Sequence, residues 1–174
     1  WWEELPNAKA ALKAFFTVRV GDMGLLVGTG ALLAMFGTLE IPGINEAAAA
    51  GDFESKSLLT FTAVALFIAC IGKSGQFPLH TWLPDAMAGP TPVSSLLHSS
   101  TMVVAGVFLV ARLYPVFQVG LDITVLDNHF NLIAVIGGIT VLIAAGLAFV
   151  QNDIKKVLAY STVSQLGYMM MGLG

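Results

Sequence analysis

One cysteine is too few for a disulfide or a thiolate metal cluster, and the only one here, Cys70, sits in the apolar run Ala63 to Ile71. It reads as a small core residue. Charge is equally scarce: charged residues make up 11% of the 174 residues, against roughly a quarter in a soluble globular domain. The formal net charge is only −3, mixed in sign, which leaves no basic footprint for nucleic acid and no charged tail. There is no GxGxxG run, no phosphate-binding glycine loop, and no HExxH or Cys/His spacing for zinc. The chain also has no initiator Met and no charged-then-apolar leader. It opens Trp1-Trp2-Glu3-Glu4 and stops at Gly174 inside an apolar run, as expected of a piece of a longer polypeptide.

What the chain does have is apolar material: 56% hydrophobic residues and a mean hydropathy of +0.82. A helix needs about 20 apolar residues to span a bilayer. The expected fold class is therefore all-α integral membrane, with about five crossings as one transmembrane unit of a larger subunit. They are placed at roughly 10–36, 57–86 (broken), 92–113, 132–150 and 154–174. Between the first two, Gly37 to Lys56 mixes Pro42, Gly43 and the acids Glu40, Glu46, Asp52 and Glu54, and suits an interfacial loop or short surface helix. A second loop carries Asp122, Asp127 and His129.

Within the second run, Gly72-Lys73-Ser74-Gly75-Gln76-Phe77-Pro78 interrupts the apolar pattern. Pro78 removes a backbone donor and Gly75 loosens the turn, so the helix is expected to break there, with protein or water beside the freed backbone. The fourth run is rich in Gly and Ala, suited to close helix packing. The linker Gln151-Asn152-Asp153 is short enough to make the fourth and fifth helices antiparallel neighbours, with Asp153 as an N-cap. Lys9, Lys13, Lys155 and Lys156 mark the cytoplasmic or matrix side, and the acidic loops mark the other.

The ionisable residues inside apolar runs are the functional candidates, because a charge at that depth costs several kcal/mol unless paired or hydrated. Lys73 precedes the break, where a change of surroundings can make it bind or release a proton; a lysine snorkelling to the interface is the alternative. His98, among Ser94, Ser95, Ser99, Ser100 and Thr101, suits proton transfer or a hydrogen-bonded structural role. Lys155 and Lys156 oppose the dipole of the fifth helix, either as anchors or for function. Arg19 and Asp22, three apart on one helix face, form either a charge-regulating pair or a structural one. His80 and Asp85 flank Trp82-Leu83-Pro84, a pattern expected at the membrane surface.

The segment GKSGQFPLHTWLPDAMAGPTPVSSLLHSSTMVVAGVFLVARL, Gly72 to Leu113, resembles the signature region of the antiporter-like, proton-translocating subunits of respiratory complex I. The later QNDIKKVLAYSTVSQLGYM, Gln151 to Met169, resembles their second signature, and KAFFTVRVGDMG, Lys13 to Gly24, is similar to the largest of these subunits. The resemblance implies a subunit of inverted five-helix repeats, in which Lys73 is the proton acceptor at the broken helix. His98 and Lys155 would pass protons along a polar axis, Pro78 and Gly75 would mark the break, and Arg19 and Asp22 would regulate charge. The family pairs its broken-helix lysine with a glutamate on an earlier helix that this stretch does not contain; Glu3 and Glu4 do not match it. The distal broken helix is missing too, so the stretch is not expected to pump alone.

It follows from the resemblance that NADH, FMN, iron–sulfur clusters and quinone are held by other subunits, leaving this chain without cofactor or metal. Its expected partners are other membrane-arm subunits, the lipid bilayer and protons. A mitochondrial inner membrane is preferred over a bacterial plasma membrane. The large subunit of a multisubunit sodium/proton antiporter shares both signatures and is the alternative; a purely structural membrane segment is the third.

Overall fold

The computed structural model describes residues 3–53, 55–125 and 128–174. Asp127 and Glu54, both expected in loops, lie outside the described residues. The elements are α1 (Leu5–Phe36), α2 (Ile41–Ala50), α3 (Lys56–Ser74), α4 (Trp82–Asp85), α5 (Thr91–Ser95), α6 (Val104–Arg112), α7 (Tyr114–Gly120), β1 (Asp122–Val125), β2 (Asn128–Asn131), α8 (Leu132–Val150) and α9 (Ile154–Leu173). A 3-10 turn at Ala86–Ala88 follows α4, and a π-helical stretch at Leu96–Thr101 joins α5 to α6. The architecture is that of an all-helical membrane protein, with one small hairpin at its margin.

Among the described residues three helices, α1, α3 and α8, are long and apolar enough to cross a membrane. Their outward faces carry large apolar side chains, such as Leu26, Leu142 and Phe149. In water such a surface would drive association; in lipid it is the ordinary exterior. Because lipid tails are as apolar as Leu, helices in a bilayer are held by close packing and hydrogen bonds rather than by escape from water. Glycine therefore matters more here than side-chain bulk.

The α1–α3 seam shows this. Gly21, Gly24 and Gly28 recur along one face of α1. A Cβ on Gly24 would come within 2.5 Å of the Ala65 carbonyl, and one on Gly28 within 2.6 Å of the Leu66 side chain. Gly72 of α3 answers from the other side, where a Cβ would stand 3.2 Å from Gly21 Cα. Helices α8 and α9 pack antiparallel in the same manner. A Cβ on Gly137 would lie 2.7 Å from the Met171 nitrogen, and one on Gly167 would lie 2.9 Å from the Gly137 carbonyl. Asp153 caps α9, its Oδ1 accepting from Lys155 N at 3.0 Å.

On the other face of α3, Gly106 of α6 admits the Cys70 carbonyl, 2.6 Å from where a Cβ would be. Ser74 Oγ donates to the Val103 carbonyl at 2.6 Å. Phe67 and Phe117 meet edge to face, centroids 6.4 Å apart, which seats α7 against α3. Cys70 is buried in this core. At the same end, Asn45 of α2 donates to the Arg112 carbonyl at 2.9 Å.

Several expectations need correction. The first helix begins at Leu5, five residues before the expected start, because Pro6 fits its first turn. The stretch from Tyr114 to Asn131, expected as loop, holds α7 and the β1–β2 hairpin, in which Thr124 pairs with His129. Pro115 enters the first turn of α7, where a missing donor costs nothing. The second crossing ends at Ser74, ahead of Pro78. Gly75 terminates it in the left-handed conformation (φ 57°), and its N–H bonds the Ile71 carbonyl.

Candidate functional site

The helix break is where the sequence candidates gather. Ending α3 at Gly75 leaves its last carbonyls without helical partners. Gln76 N bonds back to the Ile71 carbonyl at 3.1 Å, and the Gly72 carbonyl accepts from the Trp82 indole N–H at 3.2 Å. Gln76 is fully buried, and its Nε2 donates to the Ser74 carbonyl at 3.3 Å. Phe77 N reaches across to Thr140 Oγ of α8 at 3.0 Å. Backbone freed by the break is thus taken up by side chains of neighbouring elements, as a non-helical stretch at membrane depth requires.

Lys73 occupies the last turn of α3 beside this break. Its Nζ lies 3.0 Å from Asp22 Oδ1, whereas Arg19 lies at 3.6 Å from Asp22 Oδ2. Asp22, expected to pair with Arg19, makes its shorter contact with Lys73. The glycine seam is the cause, because it brings α1 close enough for the carboxylate, near the middle of a 32-residue helix, to reach the lysine. Arg19 is more exposed than Asp22 and stacks over Phe15, 4.9 Å from the ring centroid. A cavity of about 300 Å³ is lined by Arg19, Asp22, Lys73, Trp82, Leu97 and Met102.

His98 lies on the π-helical stretch. The backbone before and after it stays right-handed helical, so Thr91 to Arg112 forms one rod with a local widening. Such insertions recur at functional sites. His98 is 6% exposed, yet neither ring nitrogen has a hydrogen-bond partner among the described residues. Of the hydroxyls expected near it, the side chains of Ser99 and Ser100 lie outside the described residues. Thr101 Oγ donates to the Leu96 carbonyl at 3.0 Å and Ser94 Oγ to the Gly89 carbonyl at 3.5 Å, so both are engaged with their own backbone. His98 instead faces a cavity of about 310 Å³ that it shares with Lys155, Thr91, Ser94, Ser95 and Thr162.

An aromatic contact joins one lining residue of each cavity. Trp82, expected at the membrane surface, is 1% exposed, and its ring centroid stands 6.5 Å from that of His98. Asp85, expected beside it at the membrane surface, is ion-paired with Lys13 at 2.5 Å. Lys9, Lys13 and Lys156 line one further cavity with Asp85 and Asp153, so these three lysines share one end of the molecule. His80 is buried against Phe77, and its Nδ1 has no partner among the described residues. The Phe77–Pro78 peptide is cis.

Two features of the site have signals in the sequence. The spacing of Gly21, Gly24 and Gly28 places them on one helical face, a visible packing seam. Trp82 ten residues after Gly72, across a predicted break, is a donor within reach of orphaned carbonyls. No sequence signal marked the π-helical turn.

The whole chain, residues 1–174, matches the family described as NADH:quinone oxidoreductase/Mrp antiporter, TM. It is 50% identical over 175 residues to NAD(P)H-quinone oxidoreductase subunit 5 of the Lemna minor chloroplast, covering 100% of this chain and 23% of that protein. It is 48% identical over 178 residues to NAD(P)H-quinone oxidoreductase chain 5 of Picosynechococcus sp., covering 100% of this chain and 26% of that one. The chain thus spans about a quarter of the length of these relatives, which come from a chloroplast and a cyanobacterium. Among solved structures, the Mrp complex of Dietzia sp. superposes with a TM-score of 0.84 at 30% identity, over 98% of this chain and 18% of that one. The chain therefore belongs to the NADH:quinone oxidoreductase/Mrp antiporter transmembrane family, as a membrane-embedded, multi-pass stretch of a large antiporter-like subunit.

Proposed function

We infer that this chain is part of a proton-translocating subunit in the membrane arm of an NAD(P)H:quinone oxidoreductase, and that Asp22, Lys73, His98 and Lys155 lie on its proton path. The observation that carries this reading is the 3.0 Å Lys73–Asp22 pair at the end of a broken apolar helix. An intramembrane lysine held by one carboxylate can exchange its proton when that carboxylate moves or a second charge approaches. His98 shares its cavity with Lys155 and lies beside Trp82, which lines the Lys73 cavity. Its nitrogens, without partners among the described residues, suit a group that binds and passes a proton. Arg19, at 3.6 Å from Asp22, is placed to compete with Lys73 for the carboxylate and so to regulate its charge.

The chain crosses the membrane five times in this reading. To α1, α3 and α8 are added the rod from Thr91 to Arg112 and α9, whose lysines sit at its entrance. The redox centres, NADH, FMN, iron–sulfur clusters and quinone, belong to other subunits, as do the partner contacts of the outward apolar faces. The likeness to the Dietzia Mrp complex supports a second reading, exchange of sodium for protons. The higher identity to the quinone oxidoreductase subunits favours the first.

The test is Lys73→Ala in the full-length subunit within the assembled complex, with donor-driven proton pumping and quinone reduction measured together. Pumping is expected to fall by at least about tenfold, ~1.4 kcal/mol in a barrier, while the complex still assembles. Unchanged pumping would remove Lys73 from the path. Sodium-dependent proton exchange without an electron donor would favour the Mrp-type reading.

A further inference from the structure

We propose that Trp82 is a positioning residue that partitions the proton path, keeping the Lys73 cavity apart from the His98–Lys155 cavity and tying that partition to the helix break. The inference rests on the proton-path reading above and deepens it.

Four observations converge on this indole. It is 1% exposed, at the heart of the molecule rather than in an interfacial belt. One face lines the cavity of Asp22 and Lys73. Its ring also lies against His98, the planes tilted by 33°, and His98 lines the cavity that holds Lys155 and not the one that holds Lys73. Finally, its N–H is bonded to the carbonyl of Gly72, the residue next to Lys73. The tryptophan therefore lines one region, lies beside the histidine that lines the other, and is bonded to the backbone next to Lys73.

Chemistry decides what such a residue does. A proton leaving the Lys73 ammonium, which becomes a neutral amine, needs a continuous chain of acceptors to reach an unprotonated nitrogen of His98. Indole provides none: it is a donor only, and its single N–H is committed to Gly72. An apolar face of that size excludes the water that would otherwise carry the proton. Transfer then requires the ring to move, and moving it breaks the bond to Gly72 and frees a carbonyl beside Lys73. The partition and the lysine's surroundings change together, which prevents protons from passing at times unrelated to the state of the Lys73–Asp22 pair.

The experiment uses the assembled complex in proteoliposomes, with Trp82→Ala, Trp82→Phe, Lys73→Ala and the Trp82→Ala/Lys73→Ala double variant. Two quantities are read: protons translocated per quinone reduced, and passive proton leak under an imposed pH gradient with no electron donor. Trp82→Ala is expected to lower the pumping ratio by about twofold or more and to raise the leak, since the water-excluding wall is gone. Trp82→Phe keeps a ring but not the N–H, and is expected to fall between wild type and Trp82→Ala. Adding Lys73→Ala should suppress the leak, because it runs through the lysine; a leak undiminished in the double variant means a packing defect and overturns the proposal. Should Trp82→Ala fail to assemble, Trp82→Phe decides, and a wild-type ratio and leak in it overturn the proposal. If Lys73→Ala stops pumping while the Trp82 variants match wild type, only the partition fails; if Lys73→Ala itself pumps normally, the proton-path reading fails.

Discussion

The two sides of Trp82 handle their charges in opposite ways. On the Lys73 side the lysine is matched by Asp22 at ion-pair distance, and the approach is set by glycines that let two helix backbones nearly touch. On the His98 side, a buried imidazole has no partner among the described residues and shares a cavity with Lys155. A tight seam fixes a charge by direct contact. The cavities on the two sides are alike in size, about 300 Å³ and about 310 Å³, each far larger than the roughly 30 Å³ that one water occupies in the liquid, so the difference lies in how the buried groups are paired. In the proposed reading the first region holds a proton and the second passes one on.

The contrast is broken most severely by filling the seam. Gly24→Leu places a side chain where even a Cβ would meet the Ala65 carbonyl at 2.5 Å, and overpacking of this kind costs about 1–3 kcal/mol or more. The expected result is loss of assembled complex on native gels. Gly30→Ala is the matched control, since a Cβ there has nothing within 4 Å; it should stabilise α1 by about 0.5–1 kcal/mol and leave pumping untouched. If both variants behave alike, close approach is not what sets the Asp22–Lys73 distance. Next in size is Asp22→Asn, which keeps the shape and removes the charge. Pumping should drop by about tenfold, ~1.4 kcal/mol in a barrier, in a complex that still reduces quinone. Equal activity would mean that Lys73 finds its counter-charge elsewhere in the subunit.

How much of this was legible beforehand follows from the kind of interaction involved. Apolar length and loop composition predicted α8 and α9, together with the Asp153 cap between them, because those features are local in sequence. The break was visible in Gly75 and Pro78, although Gly75 rather than Pro78 ends the helix. The Asp22–Lys73 and Lys13–Asp85 pairs were not visible. They join residues 51 and 72 positions apart, and only helix packing decides which charge faces which. Trp82 misled for a related reason: in a membrane sequence a tryptophan near polar residues suggests an interface, but here a broken helix supplies an internal acceptor for its N–H. The π-helical turn at His98 depends on a single inserted hydrogen-bond register, which residue type does not specify.

The smallest expected effect probes the His98 side. Thr162 of α9 lines both cavities that touch His98, and its hydroxyl hydrogen is spent on the Leu158 carbonyl at 2.9 Å. The oxygen is therefore left as an acceptor, able to hold a water between His98 and Lys155. Thr162→Val is nearly the same size and removes that acceptor together with one bond to its own helix. Intrahelical hydroxyl bonds are worth about 0.5–1.5 kcal/mol, so assembly should survive. If water carries the proton across this cavity, the pumping rate should fall by about two- to fivefold, within the ~1 kcal/mol of one lost hydrogen bond. It should fall further in heavy water than the wild type does, because transfer rather than quinone reduction becomes slower. The same substitution on the seam side, Thr17→Val, loses only a bond from its hydroxyl to the Lys13 carbonyl and should change neither quantity. An unchanged rate in Thr162→Val, or an equal loss in Thr17→Val, would mean that the two sides of Trp82 do not differ in their need for water.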